Sequence, residues 1–148
     1  MNNVFDTLAV IYKYKKLYER HCQGLMKEYD LRIADLDVLY YVSHSGHKNL
    51  AKDIVDEGMS KANVSKSVEH LRQKGLVELC ADKEDRRCVH IEPTGEAEEI
   101  IIRIERIRKD MGASMFQGIS EEDGRTVARV LHQISDNLSN ELCEVDKT

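Results

Sequence analysis

The chain has 148 residues, 41% of them hydrophobic and 33% charged, which suits one domain with a real core and is too short for two. No apolar run approaches the roughly 20 residues of a bilayer crossing, and the opening MNNVFDTLAVIYKYKK lacks the uninterrupted apolar stretch of a secretory leader, so a cytoplasmic protein without a membrane partner is expected. The formal net charge of −5 argues against a nucleic-acid surface spread over the molecule, yet the stretch from Ser60 to His90 is locally basic, with seven Lys and Arg against five Asp and Glu.

Val4, Leu8, Ile11, Tyr12, Tyr18, Cys22, Leu25 and Met26 recur at near-helical spacing and predict a first helix over about 4–29. A second, over about 34–43, carries Leu36, Leu39, Tyr40 and Tyr41 and stops at Gly46. A short third helix is expected from about Lys48 to Val55, followed by a turn at Asp56-Glu57-Gly58. Ser60 has the place of an N-cap, its hydroxyl accepting from the amide of Asn63. The helix it opens, 61–74, buries Val64, Val68 and Leu71 and turns Lys61, Asn63, Ser65, Lys66, Ser67 and His70 outward.

After Gly75 the period changes from 3.6 to 2. Residues 76–81 and 88–92 read as a hairpin around a charged tip, with Val77, Leu79, Val89 and Ile91 on the buried face. Thr94 is placed to cap a long helix to about Phe116. Ser120 with Asp123 opens a last helix striped by Val127, Val130, Leu131, Ile134, Leu138 and Leu142. The expected fold is therefore mainly α with a small β-hairpin wing.

A short helix followed by a capped polar helix is a helix-turn-helix signal. Small and amide side chains on the second helix suit base edges in a major groove, Lys suits phosphate, and an arginine at a hairpin tip suits a narrow minor groove. In this order, SKANVSK (60–66), KGLV (74–77) and Asp85-Arg86-Arg87 resemble the recognition helix, linker and wing of the multiple-antibiotic-resistance regulator (MarR) family of winged helix-turn-helix proteins. The resemblance covers almost the whole chain. It implies that Ser60, Lys61, Asn63, Ser65 and Lys66 face the major groove of double-stranded DNA, that Arg87, beside Arg86, reaches the minor groove, and that Asp85 supports the wing. It also implies a homodimer joined by terminal helices, residues 1–30 and 95–148, around a DNA-binding lobe of residues 31–94. A small-molecule effector between these regions would control a repressor, and Tyr12, Tyr40 and Tyr41 could line its cleft or belong to the core. The chain departs from the family pattern at Pro93-Thr94-Gly95 and carries about three extra residues between Leu50 and Ser60.

Other readings stay open. Strand alternation puts Glu78, Cys80, Cys88 and His90 on one hairpin face, and pairing about Glu84 would set Cys80 opposite Cys88, a zinc set or a redox disulfide; the plain alternative is a half-exposed polar face. Cys22 lies too late in the first helix to match the peroxide-sensing branch of the family, whose cysteine position falls at about Leu8. His21, His44 and His47 match no metal motif. No cofactor is expected, and no Gly-rich phosphate loop, HExxH or GxSxG motif supports an enzyme. A winged-helix adaptor binding protein rather than DNA is the remaining alternative.

Overall fold

In the computed structural model, residues 4–46 and 50–148 are described, with side chains from residue 8 onward. The expected helix start at Lys48, and His47, lie outside them. Six α-helices and one hairpin follow in order: α1 (Val4–Tyr29), α2 (Ile33–His44), α3 (Ala51–Asp56), α4 (Lys61–Gln73), β1 (Val77–Ala81), β2 (Val89–Pro93), α5 (Glu98–Met115) and α6 (Glu121–Asp146). Among the described helices none is long and apolar enough to cross a membrane. The chain divides into two compact units, residues 1–109 and 110–148.

The core of the first unit is built by Leu25 of α1, Leu36, Val38 and Leu39 of α2, Ile54 of α3, Val64 and Leu71 of α4, Ile91 of β2, and Ile100 and Ile104 of α5, all at least 98% buried. Two helix ends explain how the chain turns between these elements. Asp30 takes a left-handed φ of 54°, so that the Leu31 amide reaches back to the Met26 carbonyl at 2.9 Å. Gly75, with φ 72°, lets the Leu76 amide reach the Leu71 carbonyl at 2.9 Å and swings the chain directly into β1. Both closures satisfy a carbonyl that the last helical turn leaves bare.

Burial corrects the expected faces at several points. On α1 the packed residues are Tyr18, Cys22 and Leu25, whereas Ile11 is 46% and Tyr12 79% exposed. On the hairpin, Val77 and Ile91 are buried but Leu79, directly opposite Ile91, and Val89 are each 43% exposed. Thr94 does not cap a helix with its side chain. Its hydroxyl instead donates to the Gly75 carbonyl at 2.6 Å, tying the two hairpin roots together, and a 3-10 turn (Gly95–Ala97) precedes α5. In the second unit no residue of α6 is buried, and Leu131, Leu138, Leu142 and Val145 are all more than half exposed.

The first unit's one fully buried carboxylate among the described residues is Asp35, at the first turn of α2. It accepts from the Arg32 amide at 2.8 Å, from Arg32 Nη2 at 2.9 Å and from His70 Nδ1 of α4 at 2.8 Å. Ser67 Oγ, also buried, accepts from Arg32 Nη2 at 3.1 Å. Ser67 and His70 therefore belong to the packed side of α4 rather than its outward face. Burial works against the Asp35 charge, but the bonds from Arg32, His70 and Ser67 outweigh it and hold the carboxyl below its ordinary value. A depressed native pKa contributes stability above the ordinary carboxyl value of 3.8 that is lost as the pH falls below it. Asp35→Asn should accordingly cost on the order of 2–4 kcal/mol at neutral pH, less than a fully dry pair because Arg32 is 36% exposed. Thermal unfolding from pH 7 to 3 checks this: the parent should lose stability toward low pH more steeply than the variant.

Candidate nucleic-acid interface

α4 begins where the sequence predicts. Ser60 Oγ accepts from the Asn63 amide at 3.2 Å, with the Ser60 backbone extended, and the helix starts at Lys61. Val64, Ser67 and Leu71 turn inward at the 3–4 residue spacing of one helical face. Lys61, Asn63, Ser65 and Lys66 are left exposed. Among the described residues neither lysine makes an ion pair, and no acidic residue stands in the first turn of α4. Contacts with α2 and α3 hold the helix from behind, and β1 also packs on it.

The wing is built by two aspartates. β1 and β2 pair antiparallel with Cys80 opposite His90 and Glu78 opposite Glu92, so the hairpin is centred on Asp85 and not on Glu84. Asp82 closes its neck: its amide donates to the Cys88 carbonyl at 2.9 Å, its Oδ1 accepts from the amides of Glu84 and Asp85, and its Oδ2 bonds His90 Nε2 at 2.7 Å. These bonds hold the Asp82 carboxyl well down, at about 2. Asp85 Oδ1 accepts from the Arg87 amide at 3.1 Å and its backbone carbonyl accepts from Cys88, so Asp85 fixes the backbone that presents the arginines. Arg86 and Arg87 are exposed, and among the described residues neither guanidinium pairs with Glu84 or Asp85.

The Asp82-Lys83-Glu84-Asp85 run is a side-chain-capped turn signal, and it is the one local mark in the sequence of the role Asp82 takes. The register also removes the expected sulfur pairing. Cys80 faces His90, and Cys88 lies beyond the last ladder pair with its thiol 3.7 Å from Asp85 Oδ2. Burial, with the Asp85 and Asp82 carboxylates, pushes the Cys88 thiol up and away from the reactive thiolate. Among the described residues no three His, Cys, Asp or Glu side chains form a group that could hold a metal, so Glu78, Cys80, Cys88 and His90 make no such set. Cys22 is fully buried, its thiol likewise raised by burial.

A cavity of about 520 Å³ opens within the first unit, lined among others by Tyr14, Tyr18, Asp37, Tyr40, Tyr41 and Arg108. Tyr40 and Tyr41 both line it. Tyr12 does not: it sits two residues, about 200°, round α1 from Tyr14, on the open side. The Arg108 guanidinium stacks over the Tyr40 ring at 3.8 Å and the Tyr18 ring at 4.9 Å, and lies 3.5 Å from Asp37. The Tyr18 hydroxyl and Arg108 Nε are buried without a hydrogen-bond partner among the described residues. Burial raises the Tyr18 hydroxyl far above its usual range despite the guanidinium beside it.

Comparison with known proteins places this geometry. The repressor IacR of Pseudomonas putida is 22% identical over 121 residues, which are 82% of this chain and 72% of IacR. Among solved structures, a MarR protein of Peptoclostridium difficile superposes with a TM-score of 0.78 at 19% identity, over 98% of this chain and 94% of that one. A MarR-family regulator of Listeria monocytogenes complexed with a 26mer DNA superposes with a TM-score of 0.81 at 16% identity, over 99% and 96%. The fold is the MarR winged helix that the hairpin and α4 suggested. Residues 20–104 match the family described as transcriptional regulator SarA/Rot, more than half of the sequence. The chain belongs to the SarA/Rot family of winged-helix transcriptional regulators, and is a DNA-binding regulator rather than an enzyme.

Proposed function

We propose that the protein is a ligand-responsive repressor that binds a pseudo-palindromic operator as a homodimer. The observation that carries the DNA-reading part is the outward side of α4, where Lys61, Asn63, Ser65 and Lys66 stand exposed beside a wing whose Arg86 and Arg87 are held out by Asp85. An outward lysine without an acidic partner costs little to desolvate against a phosphate, and an extended arginine on a rigid turn suits the negative potential of a narrow minor groove. The Listeria protein's complex with DNA supports the same placement by likeness of fold. Arg87→Ala should weaken operator binding about tenfold with unchanged thermal stability, and Lys66→Ala should lower the slope of log K against log salt by about 0.9. Fluorescence anisotropy over a salt series checks both, and equal affinity of parent and Arg87→Ala would remove the wing from the interface.

The homodimer is supported by unburied apolar surface. Leu131, Leu138, Leu142 and Val145 form a continuous exposed stripe on α6, and Val10, Ile11 and Leu17 are exposed on α1. Stripes of this kind are costly to leave in water and are ordinarily an interface. A two-fold dimer presents two copies of α4 about one helical turn, roughly 10 bp, apart. Leu138→Glu with Leu142→Glu should give a folded monomer by sedimentation that has lost specific operator binding. A variant that stays dimeric would exclude α6 from the interface.

The effector reading is supported by the cavity within the first unit. Its tyrosines offer aromatic walls, and Asp37 and Arg108 bring charged groups to the same lining. A bound ligand would act by favouring a dimer whose α4 spacing mismatches the operator. Repression itself is a property named for IacR and is carried over here by analogy. A panel of small aromatic acids, screened by thermal shift, should contain a compound that stabilises the parent and releases DNA. Arg108→Met should abolish both effects while leaving DNA binding without ligand intact.

A further inference from the structure

The Asp35 cluster positions a cation, Arg32, that the recognition-helix reading does not use. Beside the exposed flank of α4 a pocket of about 420 Å³ is lined by Arg32, Lys66, Glu69, His70 and Gln73. Arg32 stands at the N-cap of α2, 35 residues from Ser67 in sequence, and lines the pocket with its Nη2 held by Asp35 and Ser67. Its Nη1 and Nε make no bond among the described residues, and its side chain is 36% exposed. Lys66 of α4, also in the lining, makes no ion pair among the described residues. The pocket's own carboxylate, Glu69, is already engaged, accepting from Gln73 Nε2 at 3.2 Å and paired with Arg72 at 3.4 Å. Asp35, the other nearby acid, is fully buried behind Arg32 and His70.

We infer that this pocket seats a phosphate of the DNA backbone, with Arg32 and Lys66 as its two cationic ligands from different helices. This rests on the reading of α4 as the recognition helix. With Nη2 held by Asp35 and Ser67, the remaining Nη1 or Nε of Arg32 can donate to one phosphate oxygen, and Lys66 supplies a second point charge. Because Asp35 bonds Arg32 on one side and His70 on the other, the phosphate ligand from α2 and the helix that enters the groove are fixed to the same atom pair. Arg32 would therefore set the depth at which α4 meets the groove, without touching a base.

The test is the salt dependence of operator binding for the full-length dimer carrying Arg32→Gln, Arg32→Lys, and Arg32→Gln combined with Asp35→Asn, the last avoiding an uncompensated buried carboxylate. The seat predicts a loss of about tenfold in affinity and a slope smaller by about 0.9 for both glutamine variants, with Arg32→Lys keeping the slope. Random-sequence DNA should be weakened as much as operator, since a phosphate carries no sequence. An unchanged slope with reduced affinity would overturn the seat and leave Arg32 as a positioning residue only. Lys61→Gln and Arg87→Ala separate the two layers: if they weaken binding while Arg32→Gln does not, the seat alone fails, and if none of them does, α4 is not the DNA-facing helix and both readings fall. Inorganic phosphate, titrated against the His70 ring signals in NMR without DNA, distinguishes a free-anion site: saturation at sub-millimolar phosphate would assign the pocket to a small anion and overturn its assignment to DNA.

Discussion

The lobe depends on one buried negative charge. A carboxylate removed from water costs several kcal/mol unless donors replace the lost hydration, and Asp35 collects them from its own helix turn and from α4, 35 residues away. The apolar packing of Val64 and Leu71 brings α4 against α2, but dispersion contacts between aliphatic side chains tolerate sliding. A hydrogen bond of 2.8 Å from His70 does not. The carboxylate therefore sets the rotation of α4 about its axis, and with it which residues face outward. Ser67 and His70 are drawn in, and Lys61, Asn63, Ser65 and Lys66 are left on the open side.

The wing uses the same device at a smaller scale. A hairpin neck with Leu79 and Val89 exposed cannot be held by apolar burial. Asp82 compensates by bonding three partners across the turn, and Asp85 fixes the amide of Arg87. Both outward surfaces of the regulator thus stand on aspartates whose charges are spent internally. This reconciles an overall charge of −5 with a basic surface: acids at these positions neutralise backbone and histidine donors rather than opposing a phosphate.

Apolar surface divides in the same economical manner. In the first unit Leu36, Val38 and Leu39 of α2, Val64 and Leu71 of α4, and Ile100 and Ile104 of α5 are buried within one chain, whereas no residue of α6 is buried. The cavity walled by Tyr14, Tyr18, Tyr40 and Tyr41 is a third case, an open space lined by aromatic rings and charged groups. Core, exposed stripe and cavity each leave a different physical need, and the proposed repressor meets the second with a partner copy and the third with a ligand.

Local patterns in the sequence were enough for the helix order, the Ser60 and Ser120 caps, the chain reversal at Gly75 and the presence of a charged hairpin, because each depends on residues within about four positions of one another. The exposed lysines of α4 and the arginines of the wing were legible for the same reason. Strand register was not: alternation is unchanged by a shift of two residues, and only the Asp82 turn bonds choose between centres at Glu84 and Asp85. Nor was the partnership of Asp35 with His70, or of Arg108 with Tyr18 and Tyr40, since nothing in a one-dimensional pattern marks residues 35 or more positions apart as neighbours. Periodicity likewise identified the apolar stripes of α1 and α6 but not which of them the chain would cover. Composition and local spacing determined the elements and their caps; tertiary packing alone decided which charges are buried, which way α4 faces and where a cavity remains.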